Sequence, residues 1–273
     1  MALERIATAG DPRLAPYRVL PAHDGKRRSG LFVAETRQVV RQLVRDGRYR
    51  LHSVLLTESA REALADCLSE LERVPVYLAP VDVLKAVVGF DFHRGCLALA
   101  ERGPEPTLAG LLDGGLADGP GRLALLEEVT NPDNVGGILR AARALGADAA
   151  VLSSGCCDPL YRKAVRVSVG AALTIPWARA TDWPAALAAV RDAGCRLIAL
   201  NPDGDTDVAA LARCAGKRVA LVVGAEGVGL QPETVAAADL VVRIPIDPGV
   251  DSLNVVTACA IALDRLGGAR RSV

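Results

Sequence analysis

Aromatic residues are scarce. Phe, Tyr and Trp together make up 3% of the 273 residues, and Met occurs once. Ala, Val and Leu must therefore supply the core of a chain that is 51% hydrophobic. No apolar run reaches the roughly twenty residues that span a bilayer, so no transmembrane helix is expected. The N-terminus, MALERIATAGDPRL, lacks the apolar stretch of a signal peptide, and a cytoplasmic location is the default expectation. Cysteine is present, but Cys67, Cys96, Cys156, Cys157, Cys195, Cys214 and Cys259 form no C-x-x-C pair, and their number is odd. That argues against a disulfide framework or a zinc site and for buried free thiols. His23, His52 and His93 stand too far apart in sequence for a local metal site, and no metal is expected. There is no internal repeat and no low-complexity segment.

Net charge is zero, with 32 basic and 32 acidic residues, but it is unevenly spread. Residues 1–50 hold 11 Lys and Arg against 5 Asp and Glu, which leaves 21 against 27 in the remainder. A basic front end on an acidic body suits an anionic partner such as nucleic acid, and equally a solvated basic surface.

Residues 1–30 read as irregular, with Lys26-Arg27-Arg28 in a basic loop. Strands are expected at Leu31–Glu35, Leu51–Thr57, Pro75–Leu78 and Cys96–Ala100. Helices are expected at Thr36–Asp46, ended by Gly47, at Ser59–Glu72, opened by a Ser cap, and at Val81–Val88. This alternation predicts a small α/β domain. Residues 102–122 are rich in Gly and Pro and read as a linker, with a helical turn or two around Leu108–Leu112. Beyond it, apolar runs at Leu123, Ala149, Leu197, Val219 and Leu240 alternate with helical stretches at Val135–Leu145, Ala185–Ala193, Val208–Arg213 and Gln231–Ala238. Continuous apolar strands between helices predict a mostly parallel sheet covered on both faces. The last helix, Leu253–Leu266, is apolar nearly all round and should be buried in a core or against another subunit.

Three blocks carry the chemistry. In the first, LALLEEVTNPDNVGGILRAARAL (123–145), a strand meets a polar turn, and Asn134 is placed as the helix cap. Gly136 and Gly137 follow, poor helix formers that would let a chain or ligand approach the backbone. Arg140 and Arg143 follow on the helix. An ordinary capped helix explains this block equally well on its own. The second block is VVGAEGVGL (222–230) directly after an apolar strand, where an open α/β sheet binds ligands. Its glycines are spaced G-x-x-G-x-G, which is not the dinucleotide fingerprint, so a nicotinamide-dependent oxidoreductase is disfavoured. Glu226 within it also reads as a solvated loop acid. The third block is Ile244-Pro245-Ile246, a loop, and Ser252-Leu253-Asn254-Val255. There Ser252 is placed as the cap of the last helix, and Asn254 needs a reason beyond helix propensity.

In this order, NPDNVGGILRAAR (131–143), GAEGVGL (224–230) and IPI…DSLNV (244–255) closely resemble the SpoU-type branch of the SPOUT superfamily, the RNA 2′-O-ribose methyltransferases. The resemblance covers about 122–268. It extends more weakly to FVAE (32–35) and GFDFHRGCLALA (89–100), which look like that branch's ribosomal-protein-like RNA-binding domain. The family often has Gly where this chain has Thr36. The resemblance implies an RNA substrate-binding α/β domain over 1–105, a linker over 106–121 and a methyltransferase domain over 122–273. That second domain would carry a mostly parallel sheet and a deep trefoil knot. It also implies S-adenosylmethionine as cofactor, contacted by Gly224, Ile244 and Leu253 with Asn201 and Glu226 nearby, and a homodimer whose active site uses both subunits. By motif position, Arg140 is the central catalytic residue, supported by Asn134, Glu226, Ser252 and Asn254. Lys26, Arg27, Arg28 and Arg143 would contact RNA, with ribosomal RNA first and transfer RNA second. A non-catalytic RNA-binding or ribosome-assembly protein of the same fold is the remaining alternative.

Overall fold

A computed structural model describes residues 2–18, 30–71, 73–89, 95–115 and 121–267. The basic loop Lys26, Arg27 and Arg28 lies outside the described residues. The chain divides into two compact units, Met1–Pro104 with Pro159–Thr174, and Glu105–Asp158 with Ile175–Val273.

The first unit holds a five-stranded sheet in the order β1-β4-β3-β5-β2. Its strands are β1 (Ala2–Arg5), β2 (Leu31–Glu35), β3 (Leu51–Leu56), β4 (Pro75–Leu78) and β5 (Cys96–Glu101). β1, β4 and β3 run parallel, and β5 is antiparallel to both β3 and β2. β1 corrects the irregular reading of the N-terminus. It is four residues long with charges at Glu4 and Arg5, too short to show a period, and pairing with β4 defines it. The helix Arg37–Asp46 turns Val39, Val40 and Leu43 inward, and Gly47 ends it in the left-handed region. The helix expected from Ser59 instead runs Glu58–Ala63 on a Thr57 cap, which accepts from the amide of Ala60. A separate turn, Ala65–Leu68, follows it.

Thr36 sits at φ +86°, which is strained for a β-branched residue, while its hydroxyl caps the amide of Val39. Glycine tolerates this φ and costs only a few tenths of a kcal/mol as a cap. Thr36→Gly is therefore expected to stabilise the chain by about 1 kcal/mol, read as a higher urea midpoint at unchanged slope.

Residues 159–174 complete this unit. The helix Arg162–Val167 packs on β2, and Arg166 reaches the buried carboxylate of Glu35 at 2.8 Å, with Arg162 at 3.6 Å. A carboxylate this buried needs such partners.

The second unit holds a seven-stranded sheet in the order β10-β12-β9-β11-β6-β7-β8, and every pairing in it is parallel. The strands are β6 (Arg122–Leu126), β7 (Ala149–Ser153), β8 (Trp177–Ala180), β9 (Arg196–Leu200), β10 (Thr206–Asp207), β11 (Val219–Val223) and β12 (Leu240–Arg243). The five apolar runs become β6, β7, β9, β11 and β12. β8 has no sequence signal, because it is four residues long and carries Arg179, whose guanidinium binds the carbonyls of Ser153, Ser154 and Cys156. Residues 108–115 form two helical turns, with Leu108, Leu111 and Leu112 in the core of this sheet. Burial overrides the poor helix propensity of that Gly-rich stretch.

All seven cysteines are buried and free. Burial pushes the thiol of Cys259 up to about 12, so it is protonated and inert at neutral pH. Among the described residues no helix is long and apolar enough to cross a membrane.

Candidate active site

From β6 the chain steps outward to β7 and β8. It then returns to β9, and β11 fills the place between β9 and β6. The chain thus reverses direction at the β6–β11 pair, and the parallel strands all end at one edge. Ligands of open α/β sheets bind in the crevice beyond such a reversal. Residues after β6, β11, β9 and β12 therefore converge there, which brings the NPDN turn, the glycine loop, Asn201 and Ile244 to one edge.

The turn after β6 differs from the sequence expectation. Asn131, not Asn134, caps the helix Pro132–Ala144, its side chain accepting from the amide of Asp133 at 2.9 Å. Pro132 is the reason. It lacks an N–H and has a fixed φ, so it suits the first helical position and starts the helix earlier. Asn134 is thereby placed inside the first turn with its side chain buried. Gly137 has a packing role: a Cβ there would meet Val256 of the last helix at 2.7 Å.

The glycine loop folds onto itself. The amide of Gly229 bonds the carbonyl of Ala225 at 3.0 Å, and Gly227 and Gly229 take φ of +85° and +73°. A Cβ at Gly224 would lie 2.3 Å from the carbonyl of Gly229 and 2.6 Å from the nitrogen of Leu230. The free space at Gly224 is thus taken by the loop's own backbone.

The loop is anchored from below by Glu127, 2% exposed. One carboxylate oxygen accepts from the amide of Gln231 at 2.9 Å and the other from the hydroxyl of Thr234, which also takes the indole N–H of Trp183 at 3.2 Å. Sequence reasoning missed Glu127. Its signal is an acid directly after the apolar run LALL. Glu127→Ala leaves the Gln231 amide and Thr234 hydroxyl without an acceptor. It is expected to cost about 2 kcal/mol of stability in urea titration and to weaken ligand binding by the loop.

The third block is also shifted. Asn254, not Ser252, caps the last helix, Val255–Arg265, its oxygen accepting from the amide of Val256 at 2.9 Å. Ser252 is exposed in the preceding loop. The cap explains why Asn stands at 254, and its amide nitrogen does more. It donates to Glu226 Oε1 at 2.7 Å and to Asn134 Oδ1 at 3.3 Å. One side-chain amide thus joins all three blocks, from positions 120 and 28 residues apart in sequence.

Arg140 is not joined to this trio. It is exposed and makes no hydrogen bond or ion pair with the described residues. Six residues beyond Asn134, it is turned about 240° around the helix and lies about 9 Å farther along the axis. Arg143 is likewise exposed. Asn201 ends β9 in a tight turn, its side-chain oxygen accepting from the amide of Asp203 at 2.9 Å. Ile244 and Leu253 are half-buried, while Val228 and Val250 stand 75% and 50% exposed in the glycine loop and the loop before the last helix. No cluster among the described residues could hold a metal ion.

The SpoU rRNA Methylase family model matches residues 122–264. An uncharacterized tRNA/rRNA methyltransferase of Mycobacterium tuberculosis is 40% identical over 266 residues, 95% of this chain and 90% of the relative. A 23S rRNA (guanosine-2′-O-)-methyltransferase, RlmB, of Ralstonia nicotianae is 34% identical over 204 residues, 73% of this chain and 80% of that protein. Among solved structures, an AdoMet-bound rRNA methyltransferase from Sinorhizobium meliloti superposes with a TM-score of 0.81 at 24% identity, covering 97% of each chain. With the matched domain spanning the sheet, the glycine loop and the Asn134–Glu226–Asn254 junction, the chain belongs to the SpoU rRNA methylase family.

Proposed function

We propose that the protein transfers a methyl group from S-adenosylmethionine to a ribose 2′-hydroxyl of structured RNA, with ribosomal RNA as the substrate class. The observation that carries this reading is the Asn254 amide bonded to both Asn134 and Glu226 at the reversal point of the parallel sheet. Family membership and the 34% identical 23S rRNA 2′-O-methyltransferase support the substrate.

The loops after β11 and β12 suit the cofactor. They offer backbone N–H and C=O groups for its polar edges. The half-buried Ile244 and Leu253, with the exposed Val228, supply apolar surface for an adenine. Gly224 and Asn201 complete this set. When bound, the cofactor's sulfonium supplies an activated methyl, so the chemistry needs no metal. The protein's task is to orient the 2′-hydroxyl and help it lose its proton. The Arg140 guanidinium, a planar fork of N–H donors, grips the adjacent phosphate and stabilises the developing alkoxide. Asn134 and Asn254 orient the ribose, with Ser252 beside them. Glu226 fixes the Asn254 amide.

Arg140 is exposed and makes no bond to the trio, and in this reading the complete site draws on two copies of the chain. The last helix supports this. It buries Val255, Cys259, Ala262 and Leu263 but leaves Ala258, Ala260 and Ile261 half-buried. The reading further includes a trefoil knot in the 122–273 domain, an RNA-binding role for residues 1–105 aided by Lys26, Arg27, Arg28 and Arg143, and a cytoplasmic location.

The test is transfer of a tritiated methyl group to total RNA from cells lacking this gene. Label in ribosomal RNA at a linkage resistant to alkali supports the reading. Label in transfer RNA alone replaces the substrate, and absence of both labelling and cofactor binding overturns the reading in favour of a non-catalytic RNA-binding protein.

A further inference from the structure

The first unit carries a cleft of about 710 Å³ that the methyltransferase site does not use. It opens where β1, β3 and β4 end. These strands run parallel, with Arg5 and Leu56 both in register with Leu78, so the turns after them face one edge. Ile6, Leu78, Pro80 and Val81 give it an apolar floor and wall, and Val81 is 42% exposed there. Two arginines stand in its lining. Arg37 donates to Ser59 Oγ at 3.0 Å and has no carboxylate partner among the described residues. Arg5, its side chain 78% exposed, stands 3.7 Å from the carboxylate of Glu58, which Arg61 already holds at 2.7 Å. The cleft thus combines an apolar surface, hydroxyls and a net positive charge, two arginines against the one carboxylate of Glu58 in its lining.

We infer that this cleft takes one unstacked nucleotide of the RNA substrate, its base against the apolar floor and its phosphate on Arg37 and Arg5. The inference rests on the RNA-methyltransferase reading above and adds where the front unit grips its substrate. The volume lies within the roughly 300–1,000 Å³ of small-molecule sites, ample for a nucleotide. Charge complementarity selects the phosphate, and the guanidinium groups suit it. Proteins that read RNA by sequence bind bases splayed out of the helix, and an apolar slot beside a cationic rim receives such a base.

The experiment uses the full chain, a fluorescent single-stranded RNA of about twelve nucleotides, and the same strand annealed to its complement. The variants are the Arg5→Ala/Arg37→Ala double and Val81→Asp, all at exposed positions. Wild type is expected to prefer the single strand. Both variants should bind it about tenfold more weakly, and the double variant's salt slope should fall by about one, with S-adenosylmethionine binding unchanged. Unchanged single-strand affinity in both variants, or equal wild-type affinity for strand and duplex, overturns the inference. RNA affinity and methyl transfer are read separately. Loss of affinity in the variants, with neither methyl transfer nor S-adenosylmethionine binding by wild type, leaves the cleft standing and removes the methyltransferase reading. Normal methylation and binding by both variants removes the cleft alone.

Discussion

Arg140→Ala is expected to bind S-adenosylmethionine as the wild type does and to transfer methyl about a thousandfold more slowly. Removing a donor aimed at developing negative charge commonly costs about a hundred- to a thousandfold, and loss of the phosphate grip adds to that. The side chain is exposed and makes no bond to the described residues, so its truncation should leave the urea midpoint unchanged. That separates a chemical role from a structural one. A second arm tests whether the arginine acts across a dimer. Arg140→Ala and Asn254→Ala proteins, each inactive, are mixed and allowed to exchange subunits. If Arg140 serves the partner's site, half of the dimers are hybrids with one intact site, and about a quarter of wild-type activity returns. If it serves its own subunit, no activity returns. Full activity of the single Arg140→Ala protein removes Arg140 from the mechanism.

Gly224→Ala is expected to abolish measurable cofactor binding and to destabilise the chain by about 3 kcal/mol. The added methyl would sit 2.3 Å from the Gly229 carbonyl, a backbone group that cannot swing aside as a flexible side chain would. The loop is also pinned at its far end, where Glu127 holds the amide of Gln231. The strain therefore opens the loop at the face where the cofactor is proposed to bind. Gly227→Ala offers a contrast. Nothing lies within 4 Å of a Cβ there, and only the φ of +85° opposes it, so a cost of about 1 kcal/mol is expected. Calorimetric titration with S-adenosylmethionine and urea unfolding read both effects. Normal affinity in Gly224→Ala means that the loop adopts another closed form and that the self-packing is dispensable.

The sequence alone determined the alternation of strands and helices, the parallel sheet and the three chemical blocks. β6, β7, β9, β11 and β12 are legible because strands buried on both faces of a parallel sheet are continuous apolar runs. The blocks are legible because Asn, Pro and Gly punctuate the backbone locally. Free cysteines follow from their odd number and the lack of a C-x-x-C pair. What depends on partners distant in sequence was not legible. β1 exists through β4, and β8 holds a charged residue because carbonyls of another loop receive it. Both helix caps were misplaced by two or three residues. The start of a helix is set by which side chain satisfies its first amides, and Asn131 and Asn254 do so only in the folded backbone. Glu35 became a buried carboxylate only when Arg162 and Arg166, more than a hundred residues later, came to it. The tertiary structure also decided the role of the glycines. Gly137 serves the packing of Val256 and Gly224 the closure of its own loop, because close approach is a property of two segments. Sequence order placed Asn134, Glu226 and Asn254 in separate blocks. The reversal of the chain at β6 and β11 brought them within reach of one amide and left Arg140 facing outward.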